Sequence, residues 1–235
     1  MRNDHISSSF NEDMAELTQC LTELGRLAQT QFAASIDGIA TQDVPALQAL
    51  IEKDRALDEL EAQIHTKAFE VIAMRAPAAT DLRRVLVALK LATSLERIGD
   101  FAKNIAARTI RISEMGNERI PGVNIGRMAE LVNSLVLDAL VLIDTPDSQK
   151  AVQIWSRDVE VDHLYGTFNQ EVLASMSRNA DMVPTGSHLL FIAKNIERVG
   201  DYATSIAEQI YFLVEGVMLD DERPKADREV TINKI

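Results

Sequence analysis

The sequence predicts an all-α protein built as a tandem repeat of two antiparallel three-helix bundles, six long helices in all. Three observations carry this. Only six prolines and ten glycines punctuate 235 residues, and aromatic residues are 5%. Apolar residues recur at steps of three and four rather than in Val/Ile/Thr alternation, which favours helices over strands. And one phrase is written twice, LERIGDFAKNIA at 95–106 and IERVGDYATSIA at 196–207.

The first helix follows the stripe Met14, Leu17, Leu21, Leu24, Ala28 and Phe32, from about residue 11 to residue 39. TQDVPAL (41–47) breaks it, with Asp43 as N-cap and Pro45 in the next first turn. A single second helix then carries Leu47, Leu50, Leu57, Leu60, Ile64, Ala68 and Val71 until RAPAATD stops it. The third starts near Thr80, carries Leu82, Val85, Leu86, Leu89, Ile105 and Ile112, and ends at Gly116. GNERIPGVN (116–124) is the best interior boundary. Beyond it the order repeats. Met128, Leu131, Leu135 and Leu142 mark a fourth helix, closed by IDTPDS (143–148). Val152, Trp155, Val159, Leu164, Phe168 and Val172 mark a fifth, and the last spans about 188–217. The expected layout is an N-terminal tail at 1–9, a first bundle at 10–116, a second at 124–218 and a mobile C-terminal tail at 219–235, since short connections make consecutive long helices antiparallel neighbours.

Composition removes several functions. A net charge of −12 without a Lys/Arg cluster argues against nucleic acid and favours cations or a basic protein surface. The one cysteine, Cys20, excludes an internal disulfide and is expected to be buried and inert. MRNDHISSSFNED has no apolar signal-peptide core, and the most apolar stretch, 131–143, is interrupted by Asn133, Ser134 and Asp138. A cytoplasmic protein is expected, meeting membranes only through partners.

The chemistry lies in paired acids. Glu96/Asp100 and Glu197/Asp201 are four residues apart, as are Asp54/Asp58 and Asp158/Asp162 on the preceding helix of each half. That spacing puts each pair on one helix face. Spacing alone is weak, because roughly five such pairs arise by chance at this acid content. Recurrence in matched places is informative: between 91–109 and 192–210, eight of nineteen positions are identical at a fixed offset of 101. Asp54, Asp58 and Leu60 match Asp158, Asp162 and Leu164 at an offset of 104. Like charges and a mid-helix glycine both cost a helix stability, so Gly99 and Gly200 are expected to admit another helix or a bound ion. Carboxylates on facing helices suit hard or borderline cations.

Three readings stay open here: metal binding first, then structural ion pairing with Arg97, Arg198 or other bases, then a protein-docking face. Arg97 is expected to be poorly placed for Glu96, its neighbour about 100° around the helix. A di-iron carboxylate enzyme wants Glu-x-x-His on two helices, and only Glu160/His163 matches, with Ala62 three residues before His65. His163 and His188 read as structural or surface residues. Nothing resembles a Ser/His/Asp triad or a phosphate-cradling glycine loop.

The twice-written E-R-[IV]-G-D, each copy followed by an aromatic and an alanine, resembles the PhoU family of phosphate-signalling proteins. DLRRV (81–85), DRALDELE (54–61) and DVEVDHLY (158–165) resemble its other signatures, so the likeness spans roughly residues 10–217. It implies paired three-helix bundles whose acids bind metal clusters, iron or zinc in some members, with magnesium or manganese also compatible. The matching positions are Asp54, Asp58, Glu96 and Asp100, then Asp158, Asp162, Glu197 and Asp201. It implies a non-enzymatic, usually dimeric adaptor between the ATPase of the phosphate ABC transporter, PstB-like, and a PhoR-like sensor histidine kinase. Such an adaptor restrains uptake and silences starvation genes when phosphate is plentiful. Ser94 and Asn195 stand where many relatives carry an acid, which implies smaller clusters or a weakened accessory ligand. Asn104 and Ser205 are candidate additional ligands. The alternative function is a metal-dependent oxidase or metal store on a helical bundle.

Overall fold

The structure, a computed structural model, describes residues 2–116 and 125–219, with side chains from residue 9 onward. It is all-helical: α1 (Arg2–Thr41), α2 (Val44–Lys53), α3 (Arg55–Arg75), α4 (Thr80–Glu114), α5 (Ile125–Asp144), α6 (Ser148–Ser156), α7 (Asp158–Arg178) and α8 (Val183–Glu215), with a short 3₁₀ turn at Ala180–Met182. Residues 220–235 of the expected tail at 219–235, and 117–124 of the boundary at 116–124, lie outside the described residues. The first helix begins at Arg2, earlier than its stripe suggests, and Phe10 joins Met14 and Leu17 in the core.

Each half is three antiparallel arms, and the middle arm is bent. The sequence reads 47–71 as one helix, but α2 ends at Lys53 and α3 begins at Arg55. At the bend the Leu57 amide donates to the Asp54 carbonyl at 2.9 Å, a 3₁₀-type step. The second half bends at the matching place, where the Arg157 amide donates to Ile154 and the Glu160 amide to Arg157, both at 3.1 Å. Packing explains the bend. Leu47 and Leu50 of α2 pack with Ala106 and Ile110 in a small apolar cluster, while Leu57, Ile64, Ala68 and Val71 of α3 join the main core. Counting each bent arm once gives six helices. Asp43 caps α2 as expected, its Oδ1 accepting from the Ala46 amide at 3.1 Å, and Pro45 lies in the first turn.

One apolar core runs through both halves, from Phe10 to Ile210. The halves meet along α4 and α8, with α1 against α5 beside them. Arg83 lies over the Phe212 ring at 5.3 Å and Arg108 over Phe191 at 4.4 Å, so α4 and α8 run antiparallel. Near the middle Phe101 meets Tyr202 with ring centroids 5.8 Å apart. These two aromatics hold the same place in the repeated phrase, so the contact marks a pseudo-twofold axis between the halves. Gln29 also donates to Asn133 at 3.1 Å and Thr22 to Asp144 at 2.7 Å across α1 and α5. No helix among the described residues is long and apolar enough to cross a membrane.

Candidate functional site

The bends place the acids. Asp54 sits at the α2–α3 corner and makes no side-chain cap bond there. Its carboxylate, only 6% exposed, turns instead toward α4. There Lys103 Nζ pairs with Asp54 Oδ2 and, at 2.9 Å, with Asp100 Oδ1. Arg97 takes the other oxygen of Asp100 at 3.1 Å. Its guanidinium also curls back to Glu96 Oε2 at 3.5 Å, which corrects the expectation from helical angle alone. A long side chain reaches where its Cβ does not point.

Asp58 lies exposed one turn further along α3, and Glu96 is half-buried on α4. Burial first, then the charge of Asp100, pushes the Glu96 carboxyl up to about 7, while Arg97 opposes. Partial burial and Asp54 raise Asp58 above its ordinary value, against the pull of Lys103. Burial acts to lower Lys103, but its hydrogen bonds and charge contacts with Asp54 and Asp100 outweigh that and hold it above the usual lysine value. The four first-half acids therefore feel one another, and they gather around an ammonium.

Sequence reasoning missed two members of this cluster. Lys103 is one. Glu61 is the other, adding to the repulsion at both Glu96 and Asp58, accepting from Thr93 at 2.8 Å and lying 3.7 Å from His65 Nε2. The run Asp54, Asp58, Glu61, His65 steps by four, three and four, the stripe that would have revealed it.

The second half repeats the acids, with Lys194 beside Glu197 where the first half sets Lys103 beside Asp54 and Asp100. Asp158 is buried at the α6–α7 corner and Glu197 is 4% exposed on α8. Burial raises Glu197, the Lys194 hydrogen bond offsets part of this, and Asp201 and Asp162 add repulsion that places them in the same field. Lys194 Nζ lies 2.6 Å from both Glu197 oxygens, yet only Oε1 takes a well-directed hydrogen bond and the buried Oε2 takes none. At the place of Lys103, one turn beyond Asp201, stands Thr204, whose hydroxyl donates to the Asp201 carbonyl at 2.9 Å.

The glycines act differently from one another. A Cβ on Gly99 would lie 2.2 Å from Leu57 Cδ1, so this glycine admits the facing helix rather than an ion. At Gly200 the nearest atoms would be Val161 and Val132 at 3.4 and 3.5 Å, ordinary contact. Asn104 is exposed, and Ser205 lines a separate groove with Ser94, Gln209 and His65. Glu160 and His163 are partly or fully exposed in a groove with Arg127 and Glu130, with no facing Glu-x-x-His in the sequence. His188 lies 3.4 Å from Arg108, and burial and that charge lower it. Cys20 is half-buried rather than fully buried, and partial desolvation followed by Glu23 raises its thiol, which keeps it protonated.

The donor set is right for a hard or borderline cation. In the first half a cation already stands among the acids, the Lys103 ammonium. In the second the Lys194 ammonium lies 2.6 Å from the buried Glu197 carboxylate. Among the described residues, however, no three His, Cys, Asp or Glu side chains stand in the arrangement an ion requires. The acids lean toward the nearby bases, so binding would have to draw them together.

With this geometry in view, comparison with known proteins is direct. The PhoU domain model matches residues 21–109 and 125–210, one copy per half. The phosphate-specific transport system accessory protein PhoU homolog of Caulobacter vibrioides is 42% identical over 224 residues, covering 95% of this chain and 97% of that protein. Its counterpart in Rhizobium meliloti is 37% identical over 235 residues, covering 100% and 99%. The crystal structure of PhoU from Pseudomonas aeruginosa superposes with a TM-score of 0.86 at 28% identity, covering 88% of this chain and all of that one. That of the phosphate transport system regulatory protein PhoU from Streptococcus pneumoniae gives 0.84 at 26%, covering 90% and 99%. Two copies of the domain, in order and over nearly the whole length of each relative, place this chain in the PhoU family.

Proposed function

We propose that this protein is a non-enzymatic adaptor of phosphate homeostasis that restrains phosphate uptake and phosphate-starvation signalling. The observation that carries this is the match over both halves to relatives named as accessory proteins of the phosphate-specific transport system. It acts by contact, joining the ATPase of the phosphate ABC transporter to a sensor histidine kinase at the cytoplasmic face. It works as a homodimer and reaches the membrane only through these partners.

Metal is part of the proposal. Asp158, Asp162, Glu197 and Asp201 would hold ions in the second half, and Asp54, Asp58, Glu96 and Asp100 in the first once Lys103 withdraws. Iron or zinc, or magnesium or manganese, would cross-link the bent arm of each half to α4 or α8. A bundle fixed in this way loses less entropy when it docks. The net charge of −12 supports steering toward a basic partner surface.

The test is genetic. Cells lacking the chain, grown in ample phosphate, should express starvation genes that the wild-type copy silences again. Unchanged expression in the deletion strain would reject the regulatory reading.

A further inference from the structure

The pseudo-twofold relation between the halves breaks down at one end of the α4–α8 seam. Lys90 and Phe191 hold the same place in the repeat, as do Arg108 and Gln209, each pair at the offset of 101. At one end Arg108 lies over the Phe191 ring at 4.4 Å, so guanidinium and ring cover each other. At the other end those places carry Gln209 and Lys90, and both line an open groove of about 450 Å³. Gln209 is 7% exposed, yet its buried Oε1 has no hydrogen-bond partner among the described residues. Ser94, 6% exposed, and Ser205 line the same groove, and among the described residues neither hydroxyl makes a hydrogen bond. Other helical hydroxyls return to their own backbone, as Thr109 does to the Ile105 carbonyl at 2.9 Å. The Lys90 ammonium is exposed and makes no ion pair among the described residues. Phe69, 61% exposed, and Leu89 form the apolar side.

We propose that this groove binds a phosphate monoester carrying an aromatic ring, the chemistry of a nucleoside monophosphate. The site goes beyond the adaptor reading and needs no metal. A buried carboxamide and buried hydroxyls are costly to leave without partners, and a ligand rich in oxygen supplies them. Lys90 brings the positive charge that a phosphate requires. A carboxamide offers a donor and an acceptor side by side, the pattern that pairs with the edge of adenine. Phe69 gives the base a face to stack on. The groove's volume falls within the roughly 300–1,000 Å³ of small-molecule sites. One carboxylate stands near, that of Glu61, and it is already engaged: Thr93 donates to it at 2.8 Å and His65 Nε2 lies 3.7 Å away. The walls come from α3 and α4 of the first half and α8 of the second, so a bound ligand ties the halves together.

The experiment is isothermal titration calorimetry of the full chain, stripped with chelator and desalted, against adenosine 5′-monophosphate, adenosine and inorganic phosphate. Lys90→Gln and Gln209→Leu are titrated beside wild type, with Lys150→Gln on α6 as a surface control, and circular dichroism confirms that each is helical. The expected result is saturable binding of the nucleotide by wild type and Lys150→Gln, weakened about tenfold or more in Lys90→Gln and in Gln209→Leu. Adenosine and inorganic phosphate, each lacking one part of the ligand, should bind wild type about tenfold more weakly or worse. Lys90 is exposed, so Lys90→Gln carries the test alone if Gln209→Leu does not fold. No saturable heat with the nucleotide, or wild-type affinity in Lys90→Gln, would overturn the inference. Inorganic phosphate binding as tightly as the nucleotide would overturn it in favour of a simple anion site.

Discussion

Gly99 and Gly200 stand at the same place in the repeated phrase yet meet different neighbours. Leu57 fills the space at Gly99, so Gly99→Ala should destabilise the protein by about 1–3 kcal/mol through overpacking. Gly200→Ala should be neutral or stabilising by up to about 1 kcal/mol, because only helix propensity changes there. Denaturant unfolding of both variants decides it, and equal effects would contradict the packing difference. Glu96 supplies a pH dependence. It faces Asp100 and Arg97 from its own helix and Glu61 and Asp58 from α3, and its carboxyl is held at about 7 against 4.5 ordinarily. A raised carboxyl stabilises the fold fully below the ordinary value, and that contribution is lost as pH rises through about 7. Metal-free protein should therefore melt at a lower temperature near pH 8 than near about pH 5.5. Glu96→Gln should flatten that limb, whereas a limb of unchanged slope would assign it to other groups. The eight acids were legible because they recur at fixed offsets. Lys103 was not, because its partner at offset 101 is a threonine and repeat alignment hides whatever the copies do not share.

At the scale of elements, helix existence was legible and helix continuity was not. Apolar stripes located all six arms, since burial imposes a period of three to four residues. The bends at Asp54 and Arg157 contain neither proline nor glycine, so no local punctuation announced them. The bend at Asp54 follows from tertiary packing, with α2 and α3 serving different apolar clusters. The end of α3 holds a local rule broken openly. Ala76 caps the helix at φ 46°, a left-handed conformation that glycine adopts without a Cβ penalty. Ala76→Gly should raise stability by about 0.5–1 kcal/mol, read from the midpoint of urea unfolding. A loss of stability would mean that the Ala76 methyl makes contacts worth more than the strain.

The whole molecule is two homologous halves closed on each other about a pseudo-twofold axis. The duplication was legible; that the halves share one core was not, because stripes show which face is buried but not against what. Phe101 and Tyr202 sit where the axis passes between α4 and α8. A double-mutant cycle with Phe101→Leu and Tyr202→Leu should give a coupling of about 0.5–1.5 kcal/mol. Additive effects would mean that the rings stabilise their own halves only. Docking the halves also brings both copies of the acidic phrase onto adjoining helices, so a partner meets them as parts of one body.

The central claim is that this body acts by binding the phosphate transport and sensing machinery. The most direct measurement is surface-plasmon binding of the purified chain to the transporter's ATPase subunit and to the cytoplasmic part of the phosphate-sensing kinase. Asp162→Asn/Asp201→Asn would be run beside wild type. Saturable binding by wild type to at least one partner, weakened about tenfold or more in the variant, is the expected result. A folded wild-type protein that binds neither would contradict the adaptor reading.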